Sequence, residues 1–243
     1  HESHFGHSAF AVCMAGDFDP GNFADSVVDA FGDWIGGGGE GEFDVAGRLD
    51  DNRERMEIHI DDRDNLDVRV GHAVHLRRNN PDYLALYVAN YILGGNFSAR
   101  LMTKVRNEMG LTYGIGSSLT GFDAAYEGMW QISVTLSKDR LEEGVAATLE
   151  EVRSFLETGV TAEELAAKKT TICGSYEVGL STTRGLAHTL HANLRNGFPP
   201  DYLRDFPGEI RSLSLDDVNE AVRRYLDFDQ LRVVIAGSLP EVQ

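Results

Sequence analysis

The spacing of the apolar residues changes at Ser137, and this change constrains the fold more than any other feature. Upstream, stretches such as Val68–Leu76 and Trp130–Leu136 alternate apolar with polar residues, which is the period of a half-buried strand. Downstream, an apolar stripe from Leu141 to Leu156 has the period of an amphipathic helix, and further helical patterns follow. Strands with two helices between them, followed by a block of helices, indicate an α+β fold.

The same signals assign the other elements. Further strands are predicted at Phe10–Ala15 (buried), Met56–Ile60 (half-buried), Thr112–Leu119 and Leu231–Ala236, with Thr112–Leu119 and Tyr126–Leu136 forming a hairpin. Further helices are predicted at Asn22–Trp34, Tyr83–Leu93 and Phe97–Met109. A Thr161–Glu164 capping box opens the helix after Leu156, and three more helices are predicted at about 183–195, 201–211 and 215–226. We expect a mostly antiparallel sheet of about five to six strands, packed by helices on one side.

Neither a composition break nor an internal repeat divides the chain, so residues 1–243 are interpreted as a single domain. The chain begins with His1 and not with Met, and we expect it to be a piece of a longer protein. The fragment shows no signal peptide and no run of 18 apolar residues, which leaves a cytoplasmic or a periplasmic location open and predicts no membrane span.

The net charge of −17, from 39 acidic and 22 basic residues, argues against a nucleic-acid partner, because phosphate binding needs a basic face. Only four of the basic residues are lysine. An acidic, lysine-poor surface is typical of a protein kept soluble at high salt, although an ordinary acidic protein is the alternative.

The halophilic interpretation predicts that salt stabilises the fold, because screening relieves repulsion between carboxylates. We expect the melting temperature to rise between about 0.1 M and about 2 M KCl, where the Debye length falls from about 10 Å to about 2 Å. Thermal unfolding followed by circular dichroism measures this. A melting temperature that stays flat or falls over that range would contradict the halophilic interpretation.

Residues 94–114 contain the most specific motif of the chain. Gly94–Leu101 reads GGNFSARL, and Val105–Gly114 reads VRNEMGLTYG. Together they resemble a signature of the pitrilysin (insulinase) superfamily of zinc metallopeptidases, roughly G-G-x-x-S-S-R-L followed by I-R-E-K-R-G-L-A-Y. Weaker similarities at Ala15–Pro20, Gly159–Lys168 and Leu231–Gly237 extend the resemblance over roughly residues 1–240.

The resemblance implies a substrate-binding role for Arg106 and Tyr113. In pitrilysin-type enzymes an Arg and a Tyr at this spacing, in the half without zinc, reach across an enclosed chamber to the substrate backbone and the oxyanion. A guanidinium and a phenol are suitable donors to a carbonyl oxygen that gains negative charge. The alternative is a surface arginine and a half-buried strand tyrosine. Met109 stands where family members often carry a second arginine, so no role is transferred to that position.

The family's zinc helix carries H-x-x-E-H, and this string occurs nowhere in the chain. In the preferred register the corresponding segment is Tyr87–Tyr91, and tyrosine and asparagine in that arrangement are not zinc ligands. The resemblance therefore implies a half with no catalytic residue, no metal site and no cofactor of its own, with zinc in a partner half.

Other chemistry has little support. His1, His4 and His7 lie in a terminal segment that is a poor template for a metal, and His188 and His191 lack a suitably spaced carboxylate. His72 is interpreted as a hydrogen-bonded core residue. No G-x-S-x-G string occurs, and the two cysteines, Cys13 and Cys173, are interpreted as buried free thiols.

The leading hypothesis is the C-terminal, zinc-free half of a peptidase that closes on peptide substrates together with an H-x-x-E-H half. That partner lies either in the same chain or in a separate subunit, so homodimers and heterodimers both remain open. The alternative is a binding or assembly subunit of the same fold without proteolysis.

Overall fold

The structure is a computed structural model that describes residues 11–32 and 55–239. These residues form five strands: β1 (Met56–His59), β2 (Asn65–Arg77), β3 (Ile115–Thr120), β4 (Glu127–Ser137) and β5 (Arg232–Gly237). The helices are α1 (Pro20–Phe31), α2 (Tyr83–Leu93), a π-helix (Met102–Glu108), α3 (Leu141–Thr158), α4 (Ala162–Leu180), α5 (Thr183–Arg195), α6 (Tyr202–Ser212) and α7 (Leu215–Tyr225). Short 3₁₀ turns occupy Lys138–Arg140 and Phe228–Gln230.

The sheet has the order β1-β5-β2-β4-β3. Only the β1–β5 pair is parallel, so the predicted mostly antiparallel α+β sheet is confirmed. In the centre of the sheet Val68 pairs with Val134 of β4 and with Ile235 of β5. These residues are buried towards the helices, whereas alternate positions such as Arg69 and Thr135 are exposed on the other face. The period of two in the sequence thus produces one packed face and one open face.

Helix α2 occupies the centre of the packed face. Nine of its eleven residues are buried, and it contacts β3 as well as α4, α6 and α7. A helix that is apolar all round must be covered on every side, which explains why α2 lies inside the helical layer. Among the residues that the structure describes, no helix is long and apolar enough to cross a membrane.

The helix caps follow the sequence signals. Thr161 and Glu164 form a reciprocal capping box at the start of α4, and Ser214 and Asp217 form another at the start of α7. Each pair satisfies backbone N–H groups that the first turn of a helix leaves without partners.

Three sequence predictions need correction. Residues 11–15 form no strand, and Val12 and Met14 are exposed, because no neighbouring strand pairs with this segment among the described residues. Strand β1, at one edge of the sheet, is exposed on both faces and not half-buried. The helix predicted at Phe97–Met109 starts only at Arg100, since the Asn96 side chain accepts from the Ser98 N–H and forms a turn.

Candidate functional site

The Gly94-Gly95 pair allows the end of α2 to lie directly against β3. The Gly94 carbonyl accepts a hydrogen bond from the Ser117 N–H at 3.0 Å. A Cβ on Gly94 would lie 2.4 Å from that nitrogen, and one on Gly95 would lie 2.7 Å from the Cα of Tyr91. Both positions therefore require glycine, because a side chain would meet backbone atoms. This contact fixes the strand that begins just after Tyr113.

The turn between the π-helix and β3 is held at both ends. Gly110 has a φ of 63°, and its N–H donates to the Arg106 carbonyl, which reverses the chain. The Thr112 hydroxyl donates to the Thr135 carbonyl of β4 at 2.6 Å and accepts from the Gly114 N–H at 3.1 Å. Tyr113 lies between these anchored residues, so its backbone has a defined position.

The side chain of Tyr113 is 97% exposed. Arg106, in the last turn of the π-helix, is half-buried. Within residues 55–239 neither side chain forms a hydrogen bond or an ion pair, and they make no cation–π contact with each other. An aromatic ring this exposed does not contribute to the core. The sequence alternative of a half-buried strand tyrosine is therefore wrong, and Tyr113 presents its hydroxyl to the surroundings of this half.

Arg100 joins two segments that are distant in the sequence. Its guanidinium forms a two-pronged ion pair with Glu164, with Nε to Oε1 at 2.6 Å and Nη2 to Oε2 at 2.7 Å, and Nη2 also donates to the Gly159 carbonyl at 2.8 Å. The hydrogen bond to Glu164 raises the pKa of Arg100 above its ordinary value. The two parallel hydrogen bonds fix the orientation of both side chains. The pair is also partly shielded from water, so it is screened less than an exposed pair.

Lys168 strengthens the same junction. Its ammonium donates to the Ser98 hydroxyl at 2.6 Å and to the Asn96 side-chain oxygen at 3.0 Å, and the residue is buried. Burial lowers the pKa of Lys168 below its ordinary value. Arg100, Glu164 and Lys168 all lie in the family-like segments of the sequence. Neither contact is visible there, because Arg100 and Glu164 are 64 residues apart and Ser98 and Lys168 are 70 residues apart.

The segment Tyr87–Tyr91 does not fit a zinc ion. The Asn90 amide donates to the Ser117 carbonyl at 3.2 Å, and its oxygen accepts from the Ser117 hydroxyl, which also accepts from Trp130 Nε1. Burial raises the pKa of Tyr87, which keeps the phenol protonated. No group of three or more His, Cys, Asp or Glu side chains suited to a metal occurs in residues 11–32 and 55–239.

The other histidines and cysteines have ordinary roles where the structure describes them. His72 is buried, as predicted; its Nδ1 donates to the Ala73 carbonyl at 2.7 Å, and its Nε2 accepts from the Asp227 N–H at 3.1 Å. Burial lowers its pKa, so the neutral ring fits both bonds. Cys13 and Cys173 are free thiols, but only Cys173 is buried. The predictions for His1, His4 and His7 fall outside the described residues.

The α+β fold and the segment of residues 94–114 agree with the class of inactive zinc-peptidase domains. The family described as peptidase M16 inactive domain matches residues 1–172. The chain belongs to this family, which agrees with the resemblance seen in residues 94–114.

Individual relatives are consistent with this assignment. The "Non-peptidase homolog YmxG" of Helicobacter pylori is 25% identical over 151 residues, which cover 62% of this chain and 34% of the relative. A solved peptidase M16 inactive domain from Pseudomonas fluorescens is 26% identical, with a TM-score of 0.69 over 77% of this chain and 44% of that one.

The structure of a protease from Helicobacter pylori has a TM-score of 0.72 over 92% of this chain and 53% of that one, at 17% identity, and shares the fold. The chain spans about a third of the length of the curated YmxG relatives it matches.

Proposed function

We propose that the chain is a single, substrate-binding half of a two-half zinc peptidase, which closes on a peptide together with a half that carries H-x-x-E-H. The exposed hydroxyl of Tyr113 on a fixed turn is the observation that carries the proposal. A donor that has no partner among residues 11–32 and 55–239 suits a group that binds something outside this half.

The proposed chemistry is electrostatic. Tyr113 and Arg106 donate hydrogen bonds to the scissile carbonyl oxygen as it gains negative charge. A zinc ion held by the H-x-x-E-H half would supply the activated water. A turn anchored at Thr112 and Gly110 reduces the reorganisation needed at the moment of reaction. This half contributes binding, orientation and stabilisation of the charge that develops on the substrate.

A second candidate is a binding or assembly subunit without proteolysis. The similarity to the relative named as a non-peptidase homolog favours this candidate, since the similar region covers 62% of this chain. The exposed Tyr113 would then contact a protein partner and not a reacting carbonyl.

Reconstitution separates the two candidates. The chain is produced alone and together with an H-x-x-E-H half from the same organism, and cleavage of quenched fluorescent peptides is measured along with zinc content. We expect no hydrolysis and no stoichiometric zinc for the chain alone, and chelator-sensitive hydrolysis for the pair.

Two results would count against the proposal. About one zinc per isolated chain, surviving removal of residues 1–7, would show a metal site in this half. A stable complex of the two halves that hydrolyses no peptide would favour the binding or assembly subunit.

A further inference from the structure

A cavity of about 230 Å³ lies in the helical layer, between α2, α4, α5 and α6. Its walls are mainly aromatic: Tyr83, Tyr87, Tyr176, Tyr202 and Phe206. The other polar side chains of the lining are Arg78, His188, Thr189 and Asn193, and Leu84 and Ala192 complete it. Aromatic walls with a few convergent polar groups are typical of small-molecule sites.

Several polar groups of the lining already have partners. The Tyr202 hydroxyl donates to Glu209 Oε2 at 2.7 Å, and the Tyr176 hydroxyl donates to the Leu203 carbonyl at 3.3 Å. The Thr189 hydroxyl donates to the Gly185 carbonyl at 2.8 Å. The polar groups that remain for a ligand are the guanidinium of Arg78 and the amide of Asn193, together with the imidazole of His188 and the hydroxyls of Tyr83 and Tyr87.

Arg78 is oriented by two rings. Its guanidinium carbon lies 4.3 Å from the centroid of Tyr83 and 5.0 Å from that of Phe198. Contacts of this kind engage the faces of the guanidinium. One N–H contacts the Tyr202 hydroxyl, and the other N–H groups of the guanidinium can donate to a ligand. No carboxylate forms an ion pair with Arg78 within residues 11–32 and 55–239, so its charge is available to an anion.

Asn193 provides independent evidence for a ligand. The residue is 7% exposed, and its Nδ2 has no hydrogen-bond partner among the described residues. Buried amides are almost always satisfied, and leaving one unpaired is costly. The unpaired group of Asn193 is a donor, so the partner that it lacks is an acceptor.

We propose that this cavity binds a small aromatic carboxylate, with its ring between the tyrosine walls and its carboxylate on Arg78 and Asn193. The size fits one ring with a short acid side chain, because benzene fills a cavity of about 150 Å³ and drug-sized ligands need roughly 300 Å³ or more. The carboxylate is either that of a free acid or that of an aromatic residue at the C-terminus of a peptide.

Isothermal titration of the whole chain with 3-phenylpropionate tests the proposal. We expect saturable binding, and binding of 3-phenylpropanol weaker by about tenfold or more, because it lacks the charged acceptor. N-acetyl-Gly-Phe and its C-terminal amide distinguish the sources. Binding of the peptide acid but not of the amide supports peptide C-termini, and binding of 3-phenylpropionate alone supports a free acid.

Variants test the assigned donors. Arg78→Gln should weaken binding of 3-phenylpropionate by about tenfold or more. Arg77→Gln is the matched control, because Arg77 is the preceding residue and is exposed on β2. Asn193→Leu should weaken binding while leaving resistance of the free chain to urea unchanged or raised, because it removes an unpaired amide.

The proposal is overturned if folded wild-type chain shows no binding up to about 10 mM ligand. Equal weakening by Arg77→Gln and Arg78→Gln would also overturn it, because the loss would then follow from the change in net charge and not from a contact with Arg78. Urea unfolding of every variant shows that each one compared is folded.

Discussion

Replacement of Tyr113 by phenylalanine is expected to lower kcat/KM of the assembled two-half peptidase by roughly 10- to 1000-fold, the range for loss of one oxyanion donor. The change removes a hydroxyl and keeps the ring. Because the side chain is 97% exposed and packs against no core, the melting temperature should hardly change. Steady-state kinetics on a fluorogenic peptide, together with thermal unfolding, measures both quantities.

Tyr126→Phe is the matched control, since Tyr126 is also an exposed tyrosine and precedes β4. Its activity should equal that of the wild type. Arg106→Lys should lower activity as Tyr113→Phe does, because an ammonium does not reproduce the planar fork of the guanidinium. Full activity in both site variants would show that the pair has no role in catalysis, and a loss that merely follows unfolding would have the same meaning.

Replacement of Gly94 by alanine is expected to destabilise the fold by about 3 kcal/mol, the upper part of the usual range for an overpacked site. The added Cβ would lie 2.4 Å from the Ser117 nitrogen, so the end of α2 and β3 would have to move apart. That movement weakens the hydrogen bond from the Ser117 N–H to the Gly94 carbonyl. Urea unfolding gives the free-energy difference.

Gly174→Ala is the control, and its effect should have the opposite sign. Gly174 lies within α4, is exposed, and a Cβ there would meet nothing within 4 Å. Alanine in a helix interior is favoured over glycine by up to about 1 kcal/mol. If Gly94→Ala changes the free energy of unfolding by less than about 0.5 kcal/mol, the α2–β3 contact relaxes freely and glycine is not required there.

Asn90 is held in a buried network with Ser117 and Trp130, which occupies the hydrogen-bonding groups of its side chain. Introducing histidines at Tyr87 and Tyr91 would therefore leave Asn90, which lies between them, hydrogen-bonded to Ser117.

Local features of the fold were determined by the sequence itself. The capping boxes at Thr161 and Ser214 act over three residues, and the alternation in β4 acts over two, so each is visible in a short stretch of sequence. The hydrogen-bonded state of His72 followed from its position on the apolar face of a strand. Such signals need no knowledge of distant partners.

Only the tertiary structure decided how separate segments meet. The Arg100–Glu164 pair, the exposure of Tyr113 and the aromatic cavity around Asn193 all depend on which strands and helices become neighbours. The strand predicted at Phe10–Ala15 shows that the sequence can also predict an element that the tertiary structure does not form. An apolar run specifies that a segment can be buried, but a strand also needs a neighbour for its backbone hydrogen bonds, and that neighbour is set by the topology of the whole sheet.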